Sequence, residues 1–252
     1  MPADPLTELP PGSAPYYVVR FTRPEHRPQL SAAFAFAAEL ERSVARCSDQ
    51  GATRLKLDWW RNALAEARQS AHPLIQRLRP LAAQPDGLAA MWAMLDATET
   101  DVIKQQPPDV DAFIAHCQQA GRLADLLCLA SGGRCYAGPL GSYAAAVYRV
   151  QGIGWQLQRD YNPLPRDLPL TSNHPAEADH VLADSCRALL EPLRASAELA
   201  LQDRARDTLP ARRWASQARA LHRLLERENY PVQQQHLDIT PLAKLWAAWR
   251  VR

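Results

Sequence analysis

The chain has 252 residues, 47% of them hydrophobic and 22% charged, with 29 basic against 27 acidic residues and a net charge of +2. That length and balance suit one large globular core, and so small a charge excludes the footprint of a nucleic-acid-binding protein. Ten glycines and five isoleucines against abundant Ala and Leu favour helix over strand, because Ala and Leu lose little on entering a helix and β-branched residues lose more.

In chain order, residues 1–15 are Pro-rich and acidic and read as a flexible arm. They lack the basic and apolar regions of a signal peptide. From Arg27 to about Asp49, Leu30, Phe34, Ala37, Leu40 and Val44 recur at helical spacing, and a second helix over 54–70 places Leu57, Trp60, Leu64 and Ala67 on one face. His72-Pro73 ends it. A short helix follows at Leu74–Leu81, and another over 87–105 carries Leu88, Met91, Leu95 and Val102. Asp109 or Asp111 caps the next, 111–131, which the Ser131-Gly132-Gly133 turn closes.

The helix at 139–160 contains Gly152 and Gly154, which cost about 1 kcal/mol each against Ala and so suggest close approach or cavity space. Residues 161–176 read as a loop, and helix 177–203 has a kink expected at Pro192. Pro210 opens a helix reaching about Asn229, and Thr240-Pro241 starts the last, 241–251. The expectation is an all-α single domain over residues 16–252, with no second domain and no sheet.

Five cysteines (Cys47, Cys117, Cys128, Cys135, Cys186) form no CxxC pair, so reduced thiols in a cytoplasm are expected rather than a disulfide framework or a zinc site. No run of 18 apolar residues is present, so no transmembrane segment is expected. All basic residues except Lys56, Lys104 and Lys244 are Arg. Runs such as Arg204–Arg206 and Arg212–Arg213 read as a solvated helix face, with an anionic partner as the alternative.

Several elements, in order, resemble the squalene/phytoene synthase family. They are Tyr16-Tyr17 with Arg20-Phe21 and Pro24…Arg27; Ala33-Phe34-Ala35-Phe36; Leu57-Asp58-Trp59-Trp60-Arg61; and His116-Cys117 through Gly121-Arg122-Leu123. The run Gly152 to Asp160 is similar to the second Asp-rich motif, and Leu164-Pro165 and Leu168-Pro169 to a later Y-L-P. The pattern from Ala35-Phe36 and Glu39-Leu40 to Leu64 most resembles the branch that holds bacterial phytoene-synthase-like proteins and a mitochondrial complex I assembly factor.

The resemblance implies an isoprenoid-synthase-like helical bundle around a central cavity. It also implies two Asp-rich motifs that hold Mg²⁺ against an allylic diphosphate, as a reaction of that kind requires. Here those motifs are eroded. At the first stand Glu39, Glu41 and Arg42. Two residues apart, the glutamates point about 200° apart on a helix and cannot chelate together. The position four beyond Glu41 is Ala45. At the second stand Gln156, Arg159 and Asp160, and four beyond Asp160 is Leu164.

The alignment expects Glu41 and Asp160 to face each other across the cavity as residual metal positions, with Phe34, Trp59, Trp60 and Trp155 lining it. The expected function is a non-catalytic binding or assembly factor, needing no cofactor. One alternative is an isoprenoid transferase that condenses farnesyl- or geranylgeranyl-type diphosphates on a reduced Mg²⁺ site. Another is an isoprenoid or lipid carrier. Expected partners are an isoprenoid or lipid ligand and a protein. The expected location is the cytoplasm, with peripheral contact to the inner membrane.

Overall fold

A computed structural model describes residues 5–133, 137–168, 175–202, 205 and 207–251, without the side chains of 175–179. Cys135, Pro169, Arg204, Arg206, residues 1–4 of the arm and residues 169–174 of the loop lie outside the described residues. The described part is helical, with no strand among the described residues. The helices are α1 (Ala14–Arg20), α2 (Arg27–Ala45), α3 (Gln50–Ala65), α4 (Pro73–Ala82), α5 (Pro85–Val102), α6 (Val110–Ala120) and α7 (Leu123–Leu129). They continue with α8 (Gly138–Gln151), α9 (Ile153–Leu157), α10 (Pro175–Gln202), α11 (Leu209–Arg227) and α12 (Pro241–Trp249).

Local chemistry sets the boundaries. The side chains of Ser13, Asp49, Asp109 and Thr240 accept from the backbone N–H three residues on, capping α1, α3, α6 and α12. Proline sits in the first turn of several helices, where its missing N–H costs nothing. The single helix expected over 111–131 is two, because the chain breaks at Gly121. There α6 meets α8 backbone to backbone: a Cβ on Gly121 would lie 2.4 Å from the Gly141 carbonyl carbon, and one on Gly141 would lie 2.0 Å from the Gly121 oxygen. Only glycine permits that crossing.

Residues 5–15 are not a free arm. Leu6 and Leu9 are buried, Glu8 pairs with Arg77 at 2.6 Å, and Ser13 caps α1, so apolar anchors outweigh the Pro-rich composition.

Helix α8 is the centre of the bundle and packs against α6, α10 and α11, while α2 packs against α4, α5 and α7. Fully buried Leu30, Phe36, Leu57, Phe113, Tyr143 and Val147 belong to the one core. A buried hydrogen-bonded chain crosses it, with Tyr143 Oη 2.9 Å from His222 Nδ1 and His222 Nε2 2.9 Å from Tyr230 Oη. Outside, α3 is tied to α5 by Arg61, which reaches Asp96 at 2.7 Å and Glu99 at 2.8 Å. None of Cys47, Cys117, Cys128 and Cys186 is in a disulfide. No described helix is long and apolar enough to cross a membrane.

Candidate ligand cavity

A cavity of about 380 Å³ lies between α2, α5, α6, α8, α9 and α11, within the range of small-molecule sites. Helical spacing delivers its walls. Ala37, Glu41 and Ala45, each four apart, come from α2; Met94, Ala97, Thr98 and Asp101 from α5; Ala145, Tyr148 and Arg149 from α8. Trp155 and Gln156 come from α9 and Trp214 from α11. Gly152 lines the cavity, whereas Gly154 is a close approach, since a Cβ there would lie 2.2 Å from the Val232 carbonyl oxygen. Most of the wall is apolar: Leu40, Val44, Cys117, Ala120 and Leu123 complete it.

Three polar residues of the wall, Asp101, His116 and Arg149, form a network with Tyr161. Arg149 Nη1 donates to Asp101 Oδ1 at 2.8 Å, and its Nη2 donates to Tyr161 Oη at 2.6 Å. Tyr161 Oη in turn donates to Asp101 Oδ1 at 3.0 Å. His116 Nε2 lies 2.8 Å from Arg149 Nη1, and a guanidinium can only donate, so His116 accepts there. Burial works to raise the Asp101 carboxyl, but the charge of Arg149 outweighs it and holds Asp101 well below the usual carboxylate range. Burial works to lower the Arg149 guanidinium, and Asp101 outweighs that too, so Arg149 is held above the ordinary arginine range. Burial pushes the Cys117 thiol beside them up to about 12, which disfavours the thiolate.

Glu41 is exposed to solvent and lines the open cavity. Partial desolvation by the surrounding walls raises its carboxyl, with Arg42 acting in the opposite direction. Gln156 is 9% exposed, and its Oε1 has no hydrogen-bond partner among the described residues. An adjoining cavity of about 290 Å³ shares Val44, Asp101, Trp155 and Gln156 with the first.

The residues singled out in the sequence divide between this cavity and other places. Glu41, Gln156 and Trp155 line it. Glu39 faces the surface, where it accepts from Arg42 at 2.6 Å and lies 3.7 Å from Lys56. Arg159 is a clamp on the end of α2. Its Nη1 donates to the Ala45 carbonyl at 2.8 Å and its Nη2 to that of Val44 at 3.2 Å, and its guanidinium lies 4.9 Å from the centre of the Trp155 ring.

Asp160 is not in the cavity lining that holds Glu41. Helix α9 stops at Leu157, so Asp160 falls in the following turn, exposed and with φ 56°, outside the cavity lining. Phe34, Trp59 and Trp60 also lie away from the cavity. Phe34 is in the core, and Trp60, 2% exposed, packs 5.5 Å from the Phe36 ring and 5.3 Å from that of His72. Trp59 is 43% exposed beside it. The reason is that α3, which carries both tryptophans, packs on α4 and the outer side of α5.

The residues present do not fit the Mg²⁺ set that the resemblance implies. Hard cations of this kind need carboxylate oxygens free to coordinate. Of the two carboxylates in the lining, Asp101 is committed to Arg149 and Tyr161, which leaves Glu41. No group of three or more His, Cys, Asp or Glu among the described residues is placed to hold a metal ion. Sequence reading missed Asp101 and Arg149, although each is a charged residue on an otherwise apolar helical stripe, at Met94–Ala97–Asp101 and Ala145–Arg149.

The comparisons with known proteins agree with this architecture. A crystal structure of a dehydrosqualene synthase in complex with ligand is similar in fold, with a TM-score of 0.67 and 16% identity over 94% of this chain and 90% of that one. A search of the curated proteins found no match. Residues 11–243 match the squalene/phytoene synthase family along nearly the whole bundle that encloses the cavity, and the chain belongs to that family.

Proposed function

We propose that this chain is a non-catalytic member of the family that holds an isoprenoid- or lipid-like molecule in its central cavity. The observation that carries the reading is the Asp101–Arg149 pair, 2.8 Å apart on the cavity wall. A protein cation already neutralises that carboxylate, and Glu41 alone offers little to a metal–diphosphate complex. Ionising an allylic diphosphate demands strong stabilisation of the departing charge, and losing a single contributor of that kind costs about 10²–10³ in rate. The remaining wall suits a ligand with a long apolar body and one hydroxyl or other neutral polar end. Glu41, an exposed carboxyl raised by partial desolvation, and Gln156, whose Oε1 has no partner among the described residues, are the groups to meet that end.

Tryptophan fluorescence tests this, because Trp155 and Trp214 both line the cavity. Titration with farnesol is expected to change the emission saturably, and Ala97→Phe, which fills the cavity, is expected to abolish the change. Absence of any saturable response in the unmodified chain to farnesol or geranylgeraniol would falsify the proposal.

A further inference from the structure

Helix α11 divides two surfaces. Trp214 lines the central cavity, whereas Arg212, Ser216, Arg219 and Arg223 line a separate groove of about 1100 Å³ bounded by α10 and α12. Arg219 and Arg223, four apart, share one face of α11, and α12 adds Arg250 and Trp246 to the lining. Glu198 is the carboxylate among the described lining residues. Arg219, Arg223 and Arg250 form no ion pair with a described residue. Arg250 lies 5.4 Å over the Trp246 ring.

The outer side of α12 is unusual for a nine-residue helix on a protein surface. Leu242 is 76% exposed, Trp246 54% and Trp249 46%. Their spacing of four and three puts them on one stripe, and the two indole rings lie 5.3 Å apart. An exposed apolar stripe rimmed by arginine marks an interaction surface. Tryptophan beside arginine is the composition that settles at the boundary between lipid headgroups and acyl chains. Leu242 and Trp249 stand outside the groove lining, so an acidic protein segment lying in the groove leaves them in water. A bilayer surface covers the stripe and offers phosphates to the groove together.

We propose that α12 and the α11–α12 groove form a docking surface for a bilayer containing anionic phospholipid. Arg219, Arg223 and Arg250 meet the lipid phosphates, and Leu242, Trp246 and Trp249 enter the headgroup layer. This inference stands apart from what the central cavity holds.

The test is sedimentation of the full chain with vesicles of phosphatidylcholine, alone or with one third phosphatidylglycerol. The chain is expected to pellet with the mixed vesicles and not with the neutral ones, and added salt is expected to release it. Each arginine near an anionic surface contributes about a fivefold change in partitioning, so Arg219→Gln, Arg223→Gln and Arg250→Gln together should weaken it on the order of 100-fold. Leu242→Ser, at a position that packs on little, should also weaken it with an unchanged melting curve. Equal pelleting with neutral vesicles, or pelleting indifferent to the three arginine substitutions, overturns the proposal. So does a chain that ignores both vesicles; if such a chain binds a polyglutamate peptide through the same arginines, the groove belongs to an acidic protein instead.

Discussion

Arg149 on α8 and Asp101 on α5 meet 2.8 Å apart, with side chains 7% and 17% exposed, and the pair forms part of the cavity wall. Removing one partner leaves the other charge uncompensated in a site with little water. Arg149→Met is therefore expected to destabilise the fold by about 3–5 kcal/mol, read from urea denaturation at neutral pH. A loss below about 1 kcal/mol, the range of exposed pairs, would show that the pair behaves as a surface contact.

The two cavity carboxylates predict opposite responses to pH. The Asp101 carboxyl is held below its unfolded value of about 3.9, so its stabilisation is present above that pH and is lost as pH falls toward the folded value. The Glu41 carboxyl is raised above its unfolded value of about 4.3. Its contribution is complete below that pH and is lost as pH rises through the folded value. Ionised Glu41 is therefore expected to cost a little stability at neutral pH, reduced by its exposure to solvent. Thermal melts should show Glu41→Gln more stable than the unmodified chain at pH 7 and indistinguishable from it near pH 3.5. A Gln variant that is less stable at pH 7 would mean that the ionised carboxylate is a structural partner.

At the α6–α8 crossing, an Ala at position 141 would bring its Cβ 2.0 Å from the Gly121 carbonyl oxygen. Backbone cannot yield as a side-chain end does, so Gly141→Ala should force the helices apart and cost about 1–3 kcal/mol or more. Gly132→Ala serves as a comparison, because position 132 has open space and its cost comes from φ +79° alone. Equal effects in urea denaturation would count against a close-packed crossing.

The helices were legible in the sequence wherever a cap or a proline marked them, as at Asp109 and Thr240. The opposed directions of Glu39 and Glu41 also followed from spacing alone. What escaped was non-local. Asp101 and Arg149 are 48 residues apart, and each, taken singly, is an ordinary charge on a helix; only folding makes them partners. Asp160 was misplaced because helical spacing was carried past Leu157, where the chain turns through a positive φ. Trp59 and Trp60 have the bulk to line a cavity, but the position of α3 in the bundle, which no local pattern reveals, sends them elsewhere.

Rebuilding a metal pair should succeed on one wall and fail on the other. Ala45 lies four residues from Glu41 on α2, and both line the cavity, so Ala45→Asp places two carboxylates on one face. Its melting temperature should rise with added Mg²⁺ or Mn²⁺, while that of the unmodified chain should not. Leu164 is fully buried and outside the cavity lining, so Leu164→Asp should bury a charge, destabilise the fold by several kcal/mol and add no metal response. A metal-dependent shift in the Leu164→Asp variant would mean that residues 160–164 approach the cavity after all.

The most direct measurement of the central claim is pyrophosphate release from farnesyl diphosphate with Mg²⁺ at neutral pH, using the unmodified chain. With Asp101 neutralised by Arg149 and Asp160 outside the cavity, release should not exceed that of a protein-free control. Steady release that depends on Mg²⁺ and disappears in Glu41→Ala would contradict the non-catalytic account and make this chain a transferase with a reduced metal site.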